Sequence, residues 1–124
     1  MKSLKEIFIG DEEPAKFLDA MIAAPQHHKI LFEDERVRVI ELKVKPGEIV
    51  PVHTHRWASL NYVINHSDFL SCDVEGNVKV DSRTAEADIK QGAIFYLPPY
   101  PPLHSVENIG SQELHGITVE LKNQ

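Results

Sequence analysis

The chain has 124 residues, of which 42% are hydrophobic, and a formal net charge of −6. This length fits one domain, and the absence of a basic cluster argues against nucleic-acid binding, which needs grouped lysines and arginines. Cys72 is the single cysteine, so an intrachain disulfide is excluded, and no apolar stretch is long enough to cross a membrane. We therefore expect a protein of the reducing cytoplasm.

The first predicted element is a short amphipathic helix. Acidic residues followed by Pro14 are typical of a helix start, and Pro25 marks its end. Between them, apolar residues recur at helical spacing and form one stripe that needs cover: Phe17, Leu18, Met21 and Ile22. His27 and His28 follow the helix and are expected to stabilise its C-terminal end.

From residue 29 onwards the chain changes to short strand-like runs separated by turns. In the run Val37–Val44 the apolar phase changes between Val39 and Ile40, which predicts a bulge or a strand buried on both faces. Further runs follow at 49–54, 60–64, 69–74, 78–80, 93–97, 103–108 and 115–121. Many short strands with turn signals between them predict an all-β sandwich or barrel.

Two histidines in one of these runs form the first candidate site. His53 and His55 are two residues apart, so in a strand their side chains point to the same face. Neutral imidazole is a common ligand of zinc, iron, nickel, copper and manganese. Two ligands are rarely sufficient, and His104 in a later strand-like run is the best candidate for the third. Paired strand histidines are also common on plain surfaces, which is the alternative.

The residues around these histidines resemble the two sequence motifs of the cupin family. Gly47 and, after five residues, His53-Thr54-His55 resemble the first motif, whereas Gly92, Pro98 and His104 resemble the second. The resemblance covers about residues 29–121. It implies a double-stranded β-helix, the cupin jelly-roll barrel, in which the three histidines hold a divalent transition metal such as iron, manganese, nickel or zinc.

The sequence departs from these motifs at positions that matter for a metal. The glutamate ligand of the first motif falls at Leu60 or Asn61, neither of which is acidic, and Tyr100 stands where the second motif has a glycine. Three protein ligands are typical of catalytic metal sites, so a three-histidine site is still chemically reasonable. A pocket without metal is the alternative.

Other side chains are candidates for a pocket around the histidines. His115 begins the last strand-like run and is either a further nitrogen ligand or partner of the site, or a hydrogen-bonded core histidine. The aromatic residues next to the histidine motifs are candidates for the pocket mouth, whereas His66 lies in a polar loop and is expected to be solvated. The predicted pocket residues are Trp57, Leu60, Asn61, Tyr62, Tyr100 and His115.

The predicted protein is a small cupin, with residues 1–28 as a helical extension and residues 29–124 as the barrel. Its pocket is expected to take a metal and a small organic ligand, and the family resemblance implies a dioxygenase or isomerase if it is an enzyme. The alternatives are a metal-free binding or sensory module and a structural dimerisation unit. The helix stripe and the apolar region around Ile40 predict a homodimer. The alternative is a monomer in which the helix folds back over its own barrel.

Overall fold

The structure, a computed structural model, describes residues 18–84 and 89–122. Within these ranges the chain forms one short helix and nine strands. They are α1 (Ala20–Ala23), β1 (His28–Glu33), β2 (Val37–Val44), β3 (Ile49–His53), β4 (Ala58–Asn65), β5 (Phe69–Cys72), β6 (Val78–Asp81), β7 (Ile94–Leu97), β8 (His104–Asn108) and β9 (Leu114–Leu121). Phe17 of the predicted helix lies outside the described residues.

The strands form two antiparallel sheets that face each other. One sheet has the order β1-β2-β9-β4-β7 and the other has the order β3-β8-β5-β6. A small apolar core of Ala24, Val44, Val50 and Leu114 is fully or almost fully buried, and Phe69 packs against it. The all-β architecture that the turn spacing predicted is therefore confirmed, and it brings strands distant in sequence to one end of the barrel.

Strand β2 explains the apparent change of phase in the sequence. Arg38 and Ile40 are buried, whereas Val37 and Val39 are partly exposed, so the strand keeps one regular alternation. The register shift lies on β1, between Ile30 and Phe32, and not on β2. A register shift therefore lies at the predicted step, opposite Val39 and Ile40, but the extra residue is on the partner strand β1. The alternative of a doubly buried strand was wrong, because a buried arginine occupies an inward position.

The N-terminal segment packs beside the end of β3. Helix α1 is only four residues long, and the Asp19 side chain accepts a hydrogen bond from the Met21 amide at its start. The Ala20 amide donates to the Thr54 carbonyl oxygen at 2.8 Å, and the Thr54 amide donates to the Leu18 carbonyl oxygen at 2.7 Å. Because Thr54 separates the two histidines of the first motif, this segment fixes the backbone of the candidate site.

The predicted helix stripe is only partly buried. Met21 is partly buried, but Ile22 is 58% exposed. In the part of the chain that the structure describes, no helix is long and apolar enough to span a membrane. The cytoplasmic location stays a prediction.

Candidate metal centre

Four histidines, three on strands and one just after the end of β3, meet at one end of the barrel. His28 begins β1, His53 ends β3, His55 follows two residues later, and His104 begins β8 directly opposite His53. The ligand nitrogens of His28, His53 and His55 lie within 4.8 Å of one another. The ring centroid of His104 is 4.4 Å from that of His53 and 6.4 Å from that of His55. The three nitrogens within 4.8 Å of one another therefore belong to His53, His55 and the unpredicted His28, and the predicted His104 lies beside them against the ring of His53.

All four rings use the same nitrogen in a hydrogen bond to the protein. In each case Nδ1 lies within hydrogen-bond distance of an oxygen that accepts: Ala24 O at 2.8 Å for His28, Pro51 O at 2.8 Å for His53, Glu120 Oε2 at 3.2 Å for His55 and Pro102 O at 2.8 Å for His104. Because carbonyl and ionised carboxylate oxygens carry no proton, Nδ1 must donate. The Nε2 lone pair of each ring is then available, as in histidines that bind a metal.

The electrostatics of the cluster keep the imidazoles of His28, His53 and His104 neutral. Burial lowers the pKa of His28 to about 4. Burial and the neighbouring His104 and His55 lower the pKa of His53 to about 2. The pKa of His104 is also lowered, chiefly by desolvation. A histidine must be neutral to bind a metal, so this donor set fits a divalent transition metal.

His28 is the site residue that sequence reasoning missed. It follows α1 in the sequence, so it was expected to stabilise the helix end, but the structure places it as the first residue of β1. Its register partner on β2 is Leu42, which shares the inward phase of Ile40 and Arg38. The inward direction of His28 could be predicted only by knowing which residues of β2 face the interior. The sequence did not show this, because the inward-facing Arg38 looks like a surface residue.

A cavity of about 570 Å³ extends from the histidine cluster between the two sheets. Its wall is mostly apolar and includes Leu42, Val50, Phe69, Phe95, Val106 and Ile117. Among the predicted pocket residues, Asn61, Tyr62 and His115 line this cavity. His115 is oriented by Glu41, whose Oε2 lies 2.8 Å from its Nε2, and none of the ring contacts described for the cluster includes it.

Three predicted pocket residues lie elsewhere. Leu60 is 45% exposed, because the inward positions of β4 are Ser59 and Asn61 on either side of it. Trp57 is surrounded by cationic groups, with its ring centroid 4.3 Å from Arg56 Cζ. The structure therefore differs from the prediction at these positions.

Tyr100, the third of these residues, contributes its backbone. Its φ is 50°, in the left-handed region that favours glycine. This agrees with its position, where the second cupin motif has a glycine. Its amide donates to the His55 carbonyl oxygen at 2.8 Å, so the proline-rich loop is tied directly to the histidine pair.

His66 is more enclosed than its polar loop suggested. Its ring contacts Phe69, its Nε2 lies 3.5 Å from Asp68 Oδ1, and its Nδ1 is buried without a hydrogen-bond partner. It also lines the cavity. The expectation of a solvated side chain was wrong.

Comparison with solved structures decides the fold. A cupin domain protein from Bordetella pertussis matches with a TM-score of 0.63 and 22% identity, over 77% of this chain and 91% of that chain. The chain has the cupin fold. An RmlC-like cupin from Methanocaldococcus jannaschii also matches, with a TM-score of 0.56 and 19% identity over 76% of this chain and 77% of that chain.

A third similar structure is an enzyme. The polyketide cyclase RemF from Streptomyces resistomycificus matches this cupin barrel with a TM-score of 0.55 and 20% identity, over 77% of this chain and 64% of that chain. No family sequence model matches the chain, and no curated protein matches it. At these identities the likeness shows the fold and leaves the chemistry to the residues of the site.

Proposed function

We propose that this cupin binds a divalent transition metal through Nε2 of His28, His53, His55 and His104. The observation that carries the proposal is the shared use of Nδ1, because four independent hydrogen bonds leave four Nε2 atoms free in one cluster. His28 would supply the donor that the first motif lacks at Leu60 or Asn61. When bound, the metal would supply Lewis-acid or oxygen-activating chemistry.

The ligand that the cavity fits best is a small organic molecule with an apolar body. Apart from histidines, the charged side chains among the described residues that line the cavity are Asp73 and Lys79. Nζ of Lys79 lies 3.8 Å from Oδ2 of Asp73. The rest of the wall between them and the histidines is largely apolar. A ligand of this kind would bury its apolar part against both sheets and direct a polar group towards the metal.

Metal analysis of protein purified without an affinity tag tests the proposal. The wild-type protein is expected to hold a transition metal, and single replacement of His28, His53, His55 or His104 by Ala is expected to lower the metal content. His115→Ala is the matched control, since His115 lines the same cavity but pairs with Glu41. Unchanged metal content in all four folded variants would contradict the site, and a metal-free wild-type protein would favour a binding or sensory module.

We further propose that the barrel forms a homodimer through the outer face of its five-stranded sheet. One apolar row crosses all five strands, because each residue in it lies opposite the next: Phe32, Val39, Val119, Leu60 and Tyr96. Ile94 of β7, which is 70% exposed, lies beside this row. A partly exposed apolar surface of this kind, with Glu41 next to it on the same face, suits a symmetric contact with a second copy.

A further inference from the structure

A buried carboxylate contacts one histidine of the candidate metal centre on the Nδ1 side of its ring. Glu120 lies on β9 directly opposite Ser59 of β4, and its side chain is 0% exposed. Its Oε2 lies 3.2 Å from Nδ1 of His55, and its Oε1 accepts from Nε of Arg38. Both carboxylate oxygens of Glu120 therefore take part in hydrogen bonds. The imidazole ring of His55 lies between Glu120 and the Nε2 atom of His55. Glu120 contacts a candidate ligand without being placed as one.

The charge of Glu120 is held by a second carboxylate and a guanidinium. Arg38, only 7% exposed, donates from Nη2 to Asp19 Oδ2 at 2.8 Å. Asp19 is 2% exposed and also accepts from the Arg56 amide at 3.2 Å. The series Asp19–Arg38–Glu120–His55 is thus a continuous buried chain from the N-terminal segment to the histidine cluster, with two negative charges and one positive charge.

Stability alone does not account for this chain. Buried ion pairs are costly to desolvate, and apolar residues of similar volume often stabilise a protein as well or better. In contrast, a carboxylate that accepts a hydrogen bond from Nδ1 of a histidine fixes the tautomer of that histidine. It also makes the Nε2 atom a stronger electron-pair donor to a metal. Its excess negative charge beside the cluster also favours a bound cation.

We propose that Glu120 is the positioning residue of the metal centre, acting through His55 and held in place by Arg38 and Asp19. The first cupin motif places a carboxylate on β4 as a ligand. Here the carboxylate stands on the neighbouring strand β9, on the same inward face, and orients a ligand instead. The inference rests on the proposed metal site.

The first experiment measures cobalt(II) and zinc(II) affinity by competition with a chelator. Glu120→Gln removes the charge with little change in shape and is expected to weaken metal binding by about 10–100-fold. Glu41→Gln is the matched control, because Glu41 orients His115 in the same sheet, outside the cluster. It is expected to leave the affinity unchanged. Equal affinity of folded Glu120→Gln and wild type would overturn the proposal.

A double-mutant cycle separates positioning from a general structural effect. If Glu120 acts through His55, Glu120→Gln is expected to weaken binding in the wild-type background and to have little further effect in a His55→Ala background. An equal loss in both backgrounds would show that Glu120 supports the fold and not the ligand, and would overturn the proposal.

A third measurement needs neither a variant nor a metal. Long-range proton–nitrogen NMR of the metal-free wild-type protein is expected to show His55 with the proton on Nδ1. A proton on Nε2 would overturn the proposal, even if Glu120→Gln failed to fold. Because this result does not depend on metal, a wild-type protein that binds no metal but shows the Nδ1 tautomer would overturn the proposed function and leave the orientation of His55 by Glu120 standing.

Discussion

The two faces of the five-stranded sheet differ in a way that is unusual for a half-buried sheet. Such sheets commonly place apolar residues towards the core and polar residues towards solvent. Here the inner face carries Arg38, Asn61, Thr118 and Glu120 among its buried or partly buried side chains. The outer face carries the apolar row from Phe32 to Tyr96. Inward polar groups thus serve the proposed site, and outward apolar groups form a second packing surface.

The largest expected effect comes from placing a charge on the wrong face of β2. Ile40 is 0% exposed and faces the barrel interior. Ile40→Asp therefore buries a carboxylate at a position that an apolar side chain occupies in the native protein. We expect a loss of about 3–5 kcal/mol in the free energy of unfolding. Val37→Asp, on the outer face of the same strand and outside the apolar row, is expected to cost about 1 kcal/mol or less. Urea unfolding of both variants measures the difference.

The structure also corrects the sequence-based prediction of the dimer interface. Ile40 was expected to lie in the interface, so that a charge there would separate the subunits, but its side chain belongs to the core. Equal destabilisation by Ile40→Asp and Val37→Asp would show that β2 does not alternate between a buried and an outer face in this way.

Much of the fold was predictable because it depends on local patterns. Turn signals and short apolar runs marked β3 to β9, and the spacing around His53, His55 and His104 indicated the site. The rest depends on partners distant in sequence. Arg38 looks like a surface residue until Glu120 and Asp19 are brought beside it, and this concealed the phase of the strand.

Dependence on distant strand partners also explains why some predicted pocket residues were wrong. The inward position of His28 follows from its pairing with β2, which no local pattern shows. Leu60 was chosen by counting residues from the motif, whereas the alternation of β4 turns its side chain outwards and brings Asn61 inwards. An error of one residue reverses the face of a strand.

A smaller effect is expected on the outer face. Leu60 lies between Val119 and Tyr96 in the apolar row, so Leu60→Asp would place a charge inside the proposed interface of both subunits. We expect it to separate the homodimer while the barrel stays folded. Sedimentation equilibrium at micromolar concentration measures this as a change to a mass near 14.0 kDa.

The matched control for this surface is Val78→Asp. Val78 is 52% exposed, but it lies on β6 of the other sheet, so its substitution is expected to leave the dimer intact. A wild-type protein that sediments as a monomer would rule out the dimer. A Leu60→Asp variant that stays dimeric would move the interface to another surface.

The smallest expected effect compares neighbouring residues of β4 as positions for a new carboxylate ligand. Asn61 lines the cavity, whereas Leu60 points outwards, so only Asn61→Glu is expected to bring a carboxylate towards the proposed metal. The gain is limited, because Asn61 Oδ1 accepts from Thr118 Oγ1 at 2.8 Å and the buried charge of Glu120 lies on the same inward face. We expect metal binding to tighten by about tenfold at most, or about 1.4 kcal/mol.

Leu60→Glu serves as the control, since it adds the same charge to the opposite face and is expected to leave metal affinity unchanged even if it disturbs the dimer. Competition titrations on both variants measure the difference. Tighter binding in Leu60→Glu alone would mean that β4 presents the opposite face to the cavity. No tightening in a folded Asn61→Glu variant would show that this position does not reach the metal, and the donor that replaces the motif glutamate would then have to be His28 alone.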